Sequence, residues 1–306
     1  MKSIVVGLGV QGLKRKLNSG KDFCMAVDPI NKSADVKNIR DIPLSEYEAV
    51  LLCVPDDQKI EIIKYCIDHK KHILVEKPLI SMNPSIIKKL QQAAIKNKTV
   101  LYTAYNHRFE PHFIKMKKLI DSNQLGKIYS CRMFYGNGTA KLVKNSPWRD
   151  NNLGVITDLG SHLLDTYDFW FEDKEAKFKV LAANCFENSS PDHAIINSLH
   201  NDVFVELEMT LCMWRNHFTC DILAENGSAH IQSLCKWGPS RFVHRKRKLP
   251  SGIPKEKENI LVKNDPTWKL EYQFFKKIIF NRRRTNLDKD IWISKNFLKF
   301  KKELSK

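Results

Sequence analysis

The chain opens on a short run, Ser3 to Val6, that is apolar from Ile4 onward and stops at a glycine, and the same rhythm recurs through its first third. Further runs lie at Phe23 to Val27, Ala49 to Val54, His72 to Glu76 and Thr99 to Tyr105. They are too short for helices and too evenly apolar for strands with one wet face, so they read as strands buried on both sides. Between them, Asp57 to His69 and Pro84 to Asn97 carry the spacing of amphipathic helices, the second with Asn83 as N-cap and Pro84 at the first helical position. Strand and helix in alternation predict a parallel sheet covered on both faces.

A helix near Pro111 to Ser122 closes this regime, and a different one follows the Leu125-Gly126 turn. Strand patterns now dominate, at Ile128 to Tyr135, Lys177 to Phe186, Val203 to Met213, His217 to Ala224 and Ala229 to Ile231. One helical pattern, Asp158 to Phe171, interrupts them, and others return at Thr267 to Phe280 and Ile291 to Leu304. Pro250-Ser251-Gly252-Ile253-Pro254 reads as an exposed loop. The expected fold is α/β plus α+β: a parallel-sheet domain over residues 1–122 and an open, mostly antiparallel sheet domain over 123–306. A length of 306 residues suits two domains.

The first strand runs into Gly7-Leu8-Gly9-Val10-Gln11-Gly12, a G-x-G-x-x-G loop. In a dinucleotide site the first glycine makes the tight turn, the second admits a pyrophosphate and the third lets helix pack on strand. Backbone geometry alone would also use glycines here, but the second apolar run ends in Asp28, where such a site needs a carboxylate for the ribose hydroxyls. Strand, helix and acid agree on dinucleotide binding by Gly7, Gly9, Val10, Gln11, Gly12 and Asp28. The acid favours NAD over NADP, although Lys32 lies near enough in sequence to reach a phosphate.

The net charge of +17 is concentrated in Arg241 to Lys257 and in the tail from Lys269 to Lys306. Interspersed apolar residues in the tail make it a solvated amphipathic face, so no specific nucleic acid is expected. Arg241 to Lys248 remains a candidate contact for an anionic substrate such as a nucleotide-sugar diphosphate. The eight cysteines include no C-x-x-C pair, which fits free thiols in a reducing cytoplasm and gives no metal site. No signal peptide and no apolar run long enough to span a bilayer are read, so no membrane partner is expected.

Ligands of open parallel sheets bind beyond the carboxyl ends of the strands. Val54-Pro55, Glu76-Lys77-Pro78 and Asn106-His107-Arg108 occupy those ends. An ammonium at Lys77 could stabilise a developing alkoxide; a solvent-facing lysine is the alternative, and the adjacent proline adds a fixed bend, with a cis bond open to it. In Asp158-Leu159-Gly160-Ser161-His162-Leu163-Leu164-Asp165, a helix places 158, 162 and 165 on one face. A carboxylate one turn from a histidine suits a base working near neutral pH, and equally suits a histidine capped by acids for structure.

Together these residues resemble the glucose-fructose oxidoreductase and inositol dehydrogenase family, Gfo/Idh/MocA. The resemblance rests on the glycine loop, Glu76-Lys77-Pro78, Asn106-His107-Arg108-Phe109, Trp148-Arg149 and Asp158-x-Gly160-x-His162-x-x-Asp165. It implies a Rossmann domain followed by a sheet domain that commonly forms the interface of a homodimer or homotetramer. It also implies that Lys77 and His162 act at a sugar or polyol hydroxyl with Asp158 in support, and that Arg108 helps to hold substrate. Val54, Pro55, Glu76, Lys77, Asn106, Trp148 and Arg149 then join the cofactor-binding set. Asn151-Asn152-Leu153-Gly154 departs from the two or three glycines common in the family, so the substrate loop is expected to differ.

The expected function is an NAD-dependent dehydrogenase acting on a secondary alcohol of a sugar, cyclitol or nucleotide sugar. Two alternatives stay open: a non-catalytic NAD(H)-responsive protein with a basic partner surface, and a reductase of a non-sugar substrate.

Overall fold

Strands β1 (Ser3–Val6), β2 (Phe23–Val27), β3 (Ala49–Leu52), β4 (His72–Glu76) and β5 (Leu101–Ala104) pair in parallel in the order β2-β1-β3-β4-β5. This is seen in a computed structural model that describes residues 1–80, 82–146 and 149–305. Every residue of β1 and β3 is buried, which accounts for the unbroken apolar sequence of β3 and of Ile4 to Val6 in β1. Helices α1 (Val10–Ser19), α2 (Asp56–Asp68) and α3 (Pro84–Lys96) make the crossovers. The start of α3 is as expected: Ile86 N donates to Asn83 Oδ1 at 3.1 Å and Pro84 occupies the first turn.

One face of this sheet packs Ile4, Val6, Val50 and Leu52 against Ile63, Ile67, Ile87 and Leu90 of α2 and α3. The other packs Val5, Ala49, Leu51 and Leu74 against Tyr272 and Phe275, which lie on a helix far along the chain, Thr267–Phe280. The first unit therefore comprises Met1–Asn106 and Thr267–Lys295. That division differs from the unbroken stretch 1–122 expected from the sequence, because the apolar cover for the second face comes from the C-terminal region. Residues 107–122, with α4 (Pro111–Asp121), belong to the second unit.

That unit is built on β6 (Ile128–Gly136), α5 (Ala140–Lys144), α6 (Val155–Phe171), β7 (Lys179–Asn184), β8 (His193–His200), β9 (Val203–Thr210), β10 (His217–Ala224), β11 (Gly227–Gln232), β12 (Ser240–Lys246) and β13 (Lys255–Leu261). Its eight strands run β13-β12-β11-β10-β6-β9-β8-β7. All neighbours are antiparallel except β6 and β9. α6 lies against β6, β8 and β9. The opposite face alternates charge, with Arg132 beside Glu206 and Asp221 bonded to His230. The chain ends in α7, the Thr267–Phe280 helix already met, and α8 (Asp288–Leu304).

Strands β8, β12 and β13 were not expected. β8 and β9 join through Asn201 and Asp202, both with positive φ, the signature of a two-residue hairpin turn. In β12, Phe242 and His244 are buried while Arg241 and Arg245 alternate outward, so a half-buried strand passed for a basic tract. The 250–254 loop is exposed, as expected.

Candidate dinucleotide and active sites

The chain leaves β1 for β2 on one side and returns to β3 on the other, so the order reverses between β1 and β3. Ligands of open α/β sheets bind at such a switch point. The glycine loop stands there, and each glycine has its own reason. Gly7 has φ +91°, and a Cβ on it would lie 2.4 Å from Cys53 O. A Cβ on Gly12 would lie 1.8 Å from Gly7 O, so α1 could not approach β1 with any side chain at that position. Gly9 is different: among the described residues a Cβ there would meet nothing within 4 Å. No packing contact among them requires that space to stay clear, whereas a bound pyrophosphate would.

Gly9 is also the N-cap of α1, whose first turn holds no side-chain cap and no acid. Its N–H groups and the positive end of the helix dipole suit an anion. Val10 and Gln11, in that first turn, are exposed. Asp28 accepts from Leu8 N at 2.7 Å through one oxygen and from Ile30 N and Asn31 N at 2.9 and 2.8 Å through the other. Burial works against its charge, but the N–H groups of Asn31, Leu8 and Ile30 outweigh that and hold the carboxyl below its usual range. The acid thus shapes the loop and stays ionised. Val54 Cγ1 would lie 3.2 Å from a Cβ on Gly7, and Pro55 caps α2, so both flank the switch point. The open space at Gly9, the uncapped helix end and the ionised Asp28 fit a dinucleotide.

At the end of β4, Lys77 is half-buried and its peptide bond to Pro78 is cis. Glu76, expected to face the cofactor, instead gives its carboxylate to Arg15 Nε at 2.6 Å. Arg15 is 1 % exposed, bridges to Glu271 at 2.7 Å and stacks on Trp268 at 4.3 Å. Burial, only partly offset by Arg15, lifts Glu271 from 4.5 to about 7. Asn106 donates to Thr267 Oγ1 at 2.7 Å. Lys59 of α2, unremarked in the sequence, donates to Glu76 O at 2.9 Å and Pro78 O at 2.5 Å.

In the second unit, α6 carries Asp158, His162 and Asp165 as the spacing requires, with Gly154 as N-cap. The His162 ring stacks on His107, centroids 4.1 Å apart and 21° between planes, and meets the edge of Tyr135 at 6.0 Å. Burial and the nearby Asp158 push the Tyr135 phenol well above its usual range. His107 was not among the expected site residues; its place beside Asn106 in the quoted segment was the available signal. Asp158 accepts from Arg149 Nη2 at 3.0 Å. Asp165 takes two bonds of 2.9 Å from Arg108 Nε, and Arg108 Nη2 reaches Asp168 at 2.8 Å. Arg108, expected to hold substrate, is thus engaged by two carboxylates of α6. Trp148 lies outside the described residues.

Of the Arg241–Lys248 tract, only Arg241 lies at the end of the sheet that carries Tyr135, where the register runs from it through Gln232 and Thr219 to Phe134. Tyr135 pairs with Phe218, and that end of the sheet continues to Ser233 and Ser240. Lys246 instead pairs with Gly227, which pairs with Ala224 at the opposite end. The intervening strand length is roughly 20 Å at the usual rise per residue. Arg241 is bonded to Glu258, and Arg245 to Glu256 at 2.6 Å. A bowl of about 360 Å³ lined by Arg245, Arg247 and Lys248 lies at this far end. Residues 245–248 of the tract are therefore remote from the His162 cluster along the sheet.

Residues 13–105 match a model of an oxidoreductase family with an NAD-binding Rossmann fold, and residues 113–230 match the GFO/IDH/MocA C-terminal domain. The two matches together cover more than half of the chain. Among curated relatives, myo-inositol 2-dehydrogenase of Thermotoga maritima is 31% identical over 28% of this chain and 25% of its own. Glucose-6-phosphate 3-dehydrogenase of Bacillus subtilis is 28% identical over 46% of this chain and 44% of its own. These matches span less than half of either relative. A levoglucosan dehydrogenase solved in complex with NADH superposes with a TM-score of 0.84 at 16% identity, covering 99% of this chain and 97% of that one.

Proposed function

Because the chain belongs to the Gfo/Idh/MocA oxidoreductase family, we propose that it is an NAD-dependent dehydrogenase acting on CH–OH groups. Its substrate is a secondary alcohol of a sugar or cyclitol, nucleotide sugars included. The observation that carries the reading is the clear space at Gly9 beneath an uncapped helix end. The nicotinamide, when bound, supplies the hydride chemistry. Gly7, Gly9, Val10, Gln11, Gly12 and Asp28 hold the dinucleotide, with Val54 and Pro55 beside them. Asp28 accepts from ribose hydroxyls and repels a 2′-phosphate, which favours NAD.

His162 takes the proton of the reacting hydroxyl, Lys77 donates a hydrogen bond to its oxygen, and Asp158 orients His162. Turnover with NAD and NADP across free sugars, cyclitols and nucleotide sugars tests the reading. Reduction of NAD by a polyol supports it. Tight NADH binding without turnover on any of these overturns it and favours an NAD(H)-responsive binding protein; turnover only on a non-hydroxyl substrate favours the reductase alternative.

The eight free cysteines support a reducing, cytoplasmic setting. The face of the large sheet opposite α6 supports a homodimer or homotetramer, since its charges of both signs are self-complementary and Leu199 and Leu223 are 72% and 50% exposed there.

A further inference from the structure

A lysine ammonium has three N–H donors and no acceptor. In Lys59 all of them have oxygen partners: Asp56 Oδ1 at 2.8 Å, Glu76 O at 2.9 Å and Pro78 O at 2.5 Å. The side chain is only 3% exposed. Taking an ammonium out of water is costly unless its bonds are all made, and here one is made within α2 and the other two to one short turn. The two carbonyls belong to the residues immediately before and after Lys77. On the same turn, the Glu76 carboxylate is held by Arg15, itself 1% exposed. Two buried cations, one from α1 and one from α2, thus grip the segment from which Lys77 projects, and none of these bonds uses the Lys77 ammonium.

From this we infer that Lys59 is a positioning residue for Lys77: it fixes the backbone on both sides so that the Lys77 amine is aimed at the reacting oxygen. The inference rests on the proposed role of Lys77. A residue that merely fills the core would need no charge and no contact with either carbonyl. One that aims a reactive group must restrain the main chain, because displacements of about 1 Å at a reacting group can cost on the order of a hundredfold in rate.

The test uses the full-length protein as Lys59→Met, Lys59→Gln and Lys77→Ala. Methionine keeps the length and removes every donor, whereas glutamine offers two N–H groups to three acceptors, so each variant loses at least one bond. Turnover is measured per NADH-binding site, together with NADH affinity, Tm and amide hydrogen exchange over residues 72–80. The expected result is a kcat at least tenfold lower in Lys59→Met, a smaller loss in Lys59→Gln and NADH affinity within twofold of the parent. Exchange in the turn should rise as kcat falls. If Lys59→Met does not fold, Lys59→Gln decides. Unchanged kcat per binding site in a folded Lys59 variant, while Lys77→Ala is inactive, overturns the inference alone. Full turnover in Lys77→Ala overturns instead the reading on which it rests. Lower Tm with intact kcat marks Lys59 as purely structural and also overturns the inference.

Discussion

Gly9 and Gly12 sit three positions apart in one loop, and alanine at each should fail for opposite reasons. At Gly12 the added Cβ would lie 1.8 Å from Gly7 O, a backbone atom that cannot turn aside. Relief requires α1 to move off β1, at a cost of about 3 kcal/mol by analogy with overpacked cores. For a domain of this size that lowers Tm by about 6–12 °C. At Gly9 the backbone angles, φ −72° and ψ −169°, are open to any residue, and the Cβ meets nothing. Gly9→Ala should therefore leave Tm unchanged or raise it by about 2 °C, since alanine restricts the unfolded chain by roughly 0.5 kcal/mol. The methyl group would nonetheless stand where the pyrophosphate meets the helix end. Loss of an anion–helix interaction of about 2 kcal/mol weakens NADH about 30-fold. Differential scanning fluorimetry and NADH fluorescence titration read the two effects separately. Parental NADH affinity in Gly9→Ala, or a parental Tm in Gly12→Ala, would refute this division of labour.

Three further outcomes follow from single residues. Glu271, lifted to about 7 by burial, keeps a proton in the folded state that the unfolded chain releases near 4.5. Its stabilising contribution is full below pH 4.5 and is lost as pH rises through 7, so Glu271→Gln should flatten stability between those limits in urea titrations; an unchanged slope would count against it. Asp28 has the opposite sign: its lowered pKa stabilises the fold above the usual carboxylate range, and the gain is lost as pH falls through its folded value. Asp28→Ser should lower Tm, losing up to three N–H acceptors, and should weaken NAD more than NADP in parallel titrations. Because Arg241 and Arg245 are both paired with acids on β13, KM for a charged substrate should change little when both are replaced by glutamine; a tenfold rise would reinstate that tract as a contact.

The first unit was legible because buried parallel strands are written as short, largely apolar runs, and β1, β2 and β4 lie where those runs stand. The glycine loop was legible too, as Gly7 and Gly12 are required by backbone clearance and Gly9 stands at the helix end where a phosphate needs room. Tertiary pairing was not. The sequence cannot show that Tyr272 and Phe275 cover the sheet of the first unit, because nothing local distinguishes their helix from one that covers another core. Charged strands hid for a related reason: in β12 and β13, Arg241 and Arg245 meet acids on the neighbouring strand, so cross-strand pairing replaces the apolar alternation that reveals a strand. At the site, Asp158, His162 and Asp165 were placed on one helix by spacing alone, but the pairing of Asp165 with Arg108 depends on a remote segment. Lys59 escaped because its importance lies in the carbonyls that it reaches, and carbonyls leave no mark in a sequence.

The central claim is that Lys77 and His162 carry out chemistry on a hydroxyl while the glycine loop holds the dinucleotide. A single-turnover experiment tests it most directly: NAD-saturated enzyme is mixed with whichever polyol proves active, and NADH formation is followed at 340 nm. The account predicts that Lys77→Ala and His162→Ala bind NADH like the parent but form it at about a hundredth of the parental rate or less. Formation at the parental rate in either variant would contradict it.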